Sequence, residues 1–172
     1  MINNNIAYFE KVSFDEYKKA RMSMFKTETE HTEDEMFMEW LSIKLPERAT
    51  TGSAGYDFYI PMNCEVSADK AILIPTGIRA KIDKGWVLML FPRSGLGTKF
   101  GMGLDNTVGI IDSDYYYADN EGHIMAKVHA NKQLKMDAGI RFVQGVFVPF
   151  GTADKEEVTT ERHGGLGSTG TK

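Results

Sequence analysis

Glycines, hydroxyl groups and an arginine are concentrated in the last eleven residues of the 172-residue chain, which read RHGGLGSTGTK. Successive glycines let backbone N–H groups turn toward an anion, Ser168 and Thr169 add hydroxyl donors, and the Arg162 guanidinium matches phosphate oxygens. This tail predicts a segment that closes over a polyphosphate. A Gly-rich domain end without such a role is the alternative that the tail alone leaves open.

Residues 165–170 also spell GxGxxG, the pattern of a dinucleotide fingerprint. That fingerprint needs a strand before it and a helix after it. Only two residues follow Gly170 in this sequence, so we expect no such helix and no Rossmann-type site here.

A second group of the same residue types follows an apolar run, in the sequence PRSGLGTK at 92–99. Arg93, Ser94 and Gly95 combine a cation, a hydroxyl group and a flexible backbone, and they predict a second anion site. A nucleophilic Ser94 is less favoured, because the GxSxG elbow lacks its first glycine. A plain glycine turn is the alternative.

An apolar run near residue 110 ends abruptly in carboxylates and an aromatic ring, in the sequence NTVGIIDSDY at 106–115. A carboxylate at a strand end, such as Asp112, can hold a water molecule and accept its proton. An ordinary Asx-type turn remains open for Asp112, and a core aromatic role for Tyr115.

Two weaker segments are SAGYD at 53–57 and GIRFVQ at 139–144. Arg141 suits a structural ion pair as well as a ligand contact, and Gln144 within an apolar strand needs a polar partner. The four histidines show no metal-ligand spacing and Cys64 is the only cysteine, so the sequence offers no transition-metal motif.

Composition sets the broad class of the protein. The chain is 42% hydrophobic with a formal net charge of −4, which predicts one compact domain without the basic surface that nucleic acids or anionic membranes attract. The N-terminus has no signal-peptide pattern, and no apolar run approaches the ~20 residues that span a bilayer. We therefore expect a soluble cytoplasmic protein.

Residues 1–40 have the pattern of a helical N-terminal extension. Ser13 to Glu16 predict a capping box, and Thr32 to Glu35 begin a second short helix. We expect this extension to cover the core, and a partner-binding or regulatory arm is the alternative.

From residue 41 onward, short β runs alternate with turns. Asp83-Lys84-Gly85 predicts a hairpin between the runs 72–82 and 86–91. Many short strands at close spacing predict a mainly β sandwich, jelly roll or barrel over 41–159, followed by a flexible arm over 160–172.

Taken in chain order, the segments 53–57, 92–99, 106–115, 139–144 and the tail resemble the five motifs of the homotrimeric dUTPase family, which hydrolyses dUTP to dUMP and pyrophosphate. The resemblance runs from about Leu45 to the end of the chain. It implies a β-barrel or jelly-roll subunit, three active sites at subunit interfaces, and Mg²⁺ bound on the substrate.

The resemblance also implies a role for each site residue. Asp112 corresponds to the general base that activates the attacking water. Sugar contacts fall to Tyr115 and, beyond an apparent insertion at 116–122, to Met125. The uracil edge is assigned to Asn106, Gly109, Ile110 and Ile111. The phosphates are assigned to Arg93, Ser94, Gly95 and Gln144, and the closing tail supplies Arg162, Leu166, Gly167, Ser168 and Thr169. Asp57 is implied to order a water molecule around the metal, which has no direct protein ligand.

Leu166 departs from the family pattern. It stands where many members carry an aromatic residue that stacks over the uracil, so this lid covers the base less specifically.

One rival function on the same fold is that of a dCTP deaminase, which would need a glutamate-centred site. Another is a nucleotide-dependent regulatory protein that holds a partner through its helical extension.

Overall fold

The structure is a computed structural model that describes residues 5–24, 32–155 and 164. Three helices and a short 3₁₀ helix accompany twelve strands in these residues, so the predicted mainly β class is confirmed. The helices are α1 (Phe14–Met24), α2 (Glu33–Ser42), α3 (Ser94–Phe100) and the 3₁₀ helix (Ser113–Tyr117). The strands are β1 (Ala7–Lys11), β2 (Glu47–Arg48), β3 (Tyr56–Tyr59), β4 (Cys64–Val66), β5 (Ile72–Pro75), β6 (Ile78–Ile82), β7 (Trp86–Pro92), β8 (Gly103–Leu104), β9 (Gly109–Ile111), β10 (Met125–His129), β11 (Leu134–Met136) and β12 (Arg141–Pro149).

The largest sheet has the strand order β2-β3-β12-β7-β9, and its neighbouring strands are antiparallel. A second sheet, β5-β10-β8, and the pairs β1-β6 and β11-β4 complete the described strands. Gly145 lets strands pack closely in the core, since a Cβ there would lie 2.7 Å from Leu88 Cδ1. The long strands β7 and β12 therefore form the centre on which the other elements are arranged.

The predicted hairpin at residues 83–85 is wrong in its strand pairing. The turn itself forms, with the Trp86 N–H donating to the Asp83 carbonyl at 3.2 Å and Gly85 at φ +85°. However, β7 is already paired on both sides, by β12 and β9, so no edge is left for β6. Strand β6 pairs instead with β1.

The N-terminal extension contains the two predicted helices and, in addition, a strand that sequence reasoning missed. Strand β1 adds an edge to β6, so the extension is joined to the β body by backbone hydrogen bonds. Helix α2 carries a full capping box between Thr32 and Glu35. At the start of α1, only one of the two hydrogen bonds of the predicted capping box forms. Ser13 Oγ accepts from the Glu16 N–H, whereas the Ser13 N–H donates to the carboxylate of Glu121 instead of that of Glu16.

Both helices of the extension pack on the core. Tyr17 is fully buried, and the buried guanidinium of Arg21 lies 3.0 Å from the Glu39 carboxylate of α2. The Trp40 indole donates to the Val12 carbonyl at 2.9 Å. These contacts agree with the covering role expected of the extension. Among the described helices, none has the length and apolar character that crossing a membrane requires.

Candidate active site

A pocket of about 270 Å³ brings together five residues that the sequence assigned to the base and the sugar. These are Asn106, Gly109, Ile110, Ile111 and Met125. The pocket lies between the strand pair β8-β10 and the edge strand β9, so residues distant in sequence meet there because of strand pairing. Their role in binding stays a prediction, but their predicted proximity is what the structure shows.

Backbone groups are the main polar feature of the pocket wall formed by β9. This strand is at the edge of its sheet and pairs only with β7 in the described residues. An edge strand leaves backbone N–H and C=O groups without sheet partners on its outer side. Gly109 lets β9 approach β7 closely, because a Cβ there would lie 3.1 Å from Leu90 Cβ.

Asp112 directly follows β9 and stands immediately before the 3₁₀ helix. Its side chain is half-buried, and its backbone carbonyl accepts from the Tyr115 N–H at 3.2 Å. The sequence predicted that this carboxylate stands at the end of a strand, where it can hold a water molecule.

Tyr115 is almost fully buried in the hydrophobic core, with 6% of its surface exposed. Its hydroxyl donates to the His123 carbonyl at 2.9 Å and accepts from Asn120 Nδ2 at 2.8 Å. The structure thus shows the core aromatic that the residues alone allowed. The assigned contact with a sugar stays a prediction.

A cluster of opposite charges joins the first, second and fourth motif segments. The buried carboxylate of Asp57 lies 3.1 Å from Arg93 Nε and 3.0 Å from Arg141 Nη1. Arg141 is therefore an ion-pair partner, which is one of its two predicted roles. Because two guanidiniums surround one carboxylate, the cluster keeps an excess positive charge that suits an anion.

Gln144 lies beside this cluster, opposite Asp57 and Phe91 in the sheet register. Its Nε2 is 3.5 Å from the Pro92 carbonyl, and Gly55 allows its close approach, since a Cβ there would lie 2.8 Å from Gln144 Oε1. Ser94 and Gly95 begin α3 directly after Arg93 and are exposed. The residues assigned to phosphates thus lie at one end of β7.

The two groups of predicted residues lie toward opposite ends of β7. Leu88 pairs with Ile111, which precedes Asp112, whereas Arg93 and Ser94 follow Pro92. Between Leu88 and Pro92 the strand is about 13 Å long, at about 3.3 Å per residue. Within a single chain, Asp112 and Ser94 are therefore far apart for one reacting phosphate.

Two charged residues of the pocket were missed by sequence reasoning. Asp105 and Lys127 line the pocket, and the Lys127 ammonium lies 2.8 Å from the Asp105 carboxylate, with His129 Nδ1 at 3.0 Å. Hydrogen bonds from Lys127 and His129 hold the pKa of Asp105 below its ordinary value. Asp105 directly precedes Asn106, but its cationic partners come from β10, which local sequence patterns do not reveal.

The remaining predicted residues belong to the tail. Arg162, Leu166, Gly167, Ser168 and Thr169 lie outside the described residues. In the part of the chain that is described, no group of three or more His, Cys, Asp or Glu side chains is arranged to hold a metal ion. Both Asp57 oxygens face guanidiniums, so this carboxylate does not fit a direct metal ligand, although its remaining lone pairs can still accept from water.

A model of the dUTPase family matches residues 42–171. The chain belongs to the dUTPase family. The deoxyuridine 5'-triphosphate nucleotidohydrolase of Lactococcus lactis subsp. lactis (strain IL1403) is 42% identical over 133 residues, which cover 74% of this chain and 89% of that protein. The resemblance carried by the five motif segments is confirmed.

Solved structures of dUTPases share the fold. The crystal structure of the dUTPase from Streptococcus mutans is 45% identical with a TM-score of 0.59, covering 64% of this chain and 88% of that one. A variant of the dUTPase from phage phi11 of S. aureus is 20% identical with a TM-score of 0.57, covering 68% and 90%. The expected dUTPase-like jelly roll is thus confirmed, while residues 1–41 precede the part that the family model matches.

Proposed function

We propose that this protein hydrolyses dUTP to dUMP and pyrophosphate. The observation that carries the proposal is the pocket beside the edge strand β9, together with the position of Asp112 directly after that strand. Relatives such as the L. lactis protein are named for hydrolysis of this nucleotide, which supports hydrolysis over the deamination considered above.

Recognition of uracil is assigned to Asn106 and to the backbone of Gly109, Ile110 and Ile111. An edge strand offers N–H and C=O groups at fixed spacing, and a base with the matching acceptors and donors pairs with them. A pocket built on such hydrogen bonds rejects a base lacking the right groups by about 10⁴- to 10⁵-fold, because its own polar groups are then left unpaired. Cytosine would present the wrong edge to this pocket, and exclusion of the methyl group of thymine is assigned to a tight pocket wall.

Binding of the triphosphate is assigned to the charged end of β7 and to the tail. Arg93 is held in place by Asp57, and it supplies a fixed fork of donors to phosphate oxygens. Ser94, Gly95 and Gln144 add a hydroxyl group, a backbone N–H and an amide. Arg162, Leu166, Gly167, Ser168 and Thr169 are assigned to closing the site over the outer phosphates.

Mg²⁺ is assigned to the substrate and not to a protein cage. This assignment follows the general preference of Mg²⁺ for substrate phosphates and several waters over an all-protein cage. Asp57 is the residue that would hold one of those waters. When bound, the ion neutralises charge on the phosphates.

The chemical step is assigned to Asp112. Its carboxylate accepts a proton from the water that attacks phosphorus, the bond between the α- and β-phosphates breaks, and pyrophosphate leaves. Tyr115 and Met125 are assigned to the sugar, where Tyr115 would exclude a 2′-hydroxyl group.

A homotrimer with sites at its subunit interfaces completes this arrangement. Asp112 and Ser94 lie toward opposite ends of β7, and one chain alone therefore does not bring them to the same phosphate. A neighbouring copy that supplies the second end resolves this separation. One subunit by itself would then be inactive.

A substrate panel tests the proposed function. Purified protein with Mg²⁺ should release pyrophosphate from dUTP far faster than from dCTP, dTTP or UTP, and should release no ammonia from dCTP. Equal rates on all four nucleotides would sink the specificity for uracil, and ammonia from dCTP would favour the deaminase.

Exchange of the general base tests the mechanism. Asp112→Asn keeps the shape of the side chain but cannot accept the proton, so kcat should fall by about 10²- to 10⁴-fold. Binding of a non-hydrolysable dUTP analogue, measured by calorimetry, should remain. A near-normal rate in this variant would show that another group is the base.

A further inference from the structure

Residues 113–124, here called the Tyr115 segment, connect two residues of the candidate site, Asp112 and Met125. The segment is folded on itself by backbone hydrogen bonds. The N–H groups of Tyr115, Ala118, Glu121 and His123 each donate to a carbonyl three residues earlier, at 2.8 to 3.2 Å. We therefore expect a shift of this segment to displace the residues at its two ends, Asp112 and Met125.

The N-terminal extension is hydrogen-bonded to the segment at Glu121. The Ser13 N–H and the Ser13 hydroxyl donate to the two oxygens of the Glu121 carboxylate, at 2.8 and 2.6 Å. Burial raises the pKa of Glu121, but these hydrogen bonds outweigh it and hold the pKa below its ordinary value. The pair therefore joins the first turn of α1 to an ionised carboxylate.

The backbone where Glu121 lies is strained, so its position depends on contacts. Glu121 has φ +57°, a left-handed conformation that costs a residue with a side chain about 1 kcal/mol. Gly122 follows with φ +72°, and a Cβ there would lie 2.7 Å from the Tyr115 carbonyl oxygen. The chain therefore makes a tight turn at Glu121 and Gly122 that brings it back to Tyr115. Ser13 is hydrogen-bonded to the Glu121 carboxylate in this turn.

Two further contacts connect the extension to the same segment. The Tyr116 hydroxyl donates to the Glu10 carboxylate of β1. The fully buried His123 ring accepts the Gly77 N–H at Nε2, so its own proton is on Nδ1, which lies 3.5 Å from Glu16 Oε1 of α1. Strand β1 and helix α1 therefore both contact the segment.

The N-terminal extension that makes these contacts precedes the part of the chain that the family model matches, which begins at residue 42. We propose that Ser13 and Glu121 are positioning residues for catalysis, through which the N-terminal extension fixes the Tyr115 segment and thereby Asp112. The inference rests on the proposed hydrolysis of dUTP. It assigns the extension a role in turnover that covering the core alone would not require.

The decisive variants separate this contact from helix capping. Ser13→Asp keeps an N-cap acceptor for α1, removes the hydroxyl donor and sets a negative charge against Glu121. Ser13→Thr keeps the hydroxyl group. Ser23→Ala is the matched control in the same helix, because the Ser23 hydroxyl donates to the Ala20 carbonyl of its own turn.

Steady-state kinetics should be measured at a temperature where melting curves show every variant folded. For Ser13→Asp we expect kcat to fall about ten-fold, within the ~100-fold that a ~1 Å misplacement can cost. KM for dUTP should change less than kcat, because most of the pocket residues assigned to the base lie outside the segment and only Met125 adjoins it. Ser13→Thr and Ser23→Ala should keep the parental kcat, and a parental kcat in Ser13→Asp would overturn the inference.

Amide hydrogen exchange supplies a readout that does not depend on activity. The amides of Tyr115, Ala118, Glu121 and His123 should exchange faster in Ser13→Asp than in the parent, while those of β12 stay unchanged. Unchanged exchange in the segment would overturn the inference. A parent protein that does not hydrolyse dUTP would refute the proposed function, and faster exchange confined to the segment would still show that Ser13 holds it.

Discussion

Two carboxylates of this molecule are each held between two basic side chains, and one of these clusters lies inside the structure and the other at its surface. Asp57 lies between Arg93 and Arg141, and its side chain is 8% exposed. Asp105 lies between Lys127 and His129 at the rim of the pocket, and its side chain is 28% exposed. The two clusters look alike as lists of charges but differ in their contact with water.

Burial decides what each cluster contributes. A carboxylate removed from water depends on its partners, whereas water and salt replace much of an exposed ion pair. The partners differ as well, because arginine stays charged at any pH of interest and histidine does not. The inner cluster thus keeps its charges at any pH of interest, which suits its proposed role in binding phosphate, whereas the outer one is a weak contact that pH and salt can change.

The largest expected effect distinguishes the two arginines of the inner cluster, Arg93 and Arg141. Arg93→Met and Arg141→Met each remove one guanidinium from the same carboxylate, but only Arg93 is assigned to phosphate. Loss of a charge-assisted hydrogen bond costs about 1.5 to 3 kcal/mol. Arg93→Met should therefore lower kcat/KM for dUTP by about 100-fold, and Arg141→Met by about ten-fold or less. Initial rates of pyrophosphate release measure both.

Equal losses in the two arginine variants would contradict this division. They would mean that the geometry of Asp57, which both variants disturb, matters more than the charge that Arg93 offers.

Stability separates the inner cluster from the outer one. Asp57→Asn leaves two guanidiniums facing each other around a neutral amide, and the free energy of unfolding should fall by about 2 kcal/mol. Asp105→Asn removes an exposed pair and should cost less than about 0.5 kcal/mol. Urea unfolding at neutral pH measures both. Similar losses would show that burial does not distinguish the clusters.

The sequence predicted these site segments well because their signals are local. A strand that ends in a carboxylate, or an arginine followed by a hydroxyl group and a glycine, is visible in a few neighbouring residues. Asn106 and Met125, which the family resemblance assigned to the same substrate, line one pocket. Their chemical roles came from the family resemblance and not from the pattern alone.

Partners distant in sequence are what the sequence could not predict. The expected hairpin failed because β7 was already paired on both edges, and the Ser13 N–H found its acceptor at Glu121 instead of Glu16. Asp105 was missed because its cations lie on another strand. Each outcome was decided by competition between distant segments, which no short pattern contains.

A smaller effect concerns the pocket wall, where the backbone and not charge is expected to recognise the base. Gly109→Ala places a Cβ 3.1 Å from Leu90 Cβ and pushes β9 away from β7. We expect KM for dUTP to rise about five-fold, equivalent to about 1 kcal/mol. Gly52→Ala is the control, because a Cβ there meets nothing within 4 Å. An unchanged KM would mean that the backbone position of Gly109 does not matter for binding.

The smallest expected effect tests the pH and salt dependence of the outer cluster. Hydrogen bonds from Lys127 and His129 lower the pKa of Asp105, so its contribution to stability is present above the unfolded pKa of about 3.9 and is lost as the pH falls through the lower folded value. The difference in unfolding free energy between the parent and Asp105→Asn should therefore shrink toward zero in acid. It should also shrink at 1 M NaCl, where the Debye length is about 3 Å, while the cost of Asp57→Asn persists because buried pairs are screened much less. A cost of Asp105→Asn that is the same at pH 3 and pH 7 would show that the carboxylate acts through packing and not through its charge.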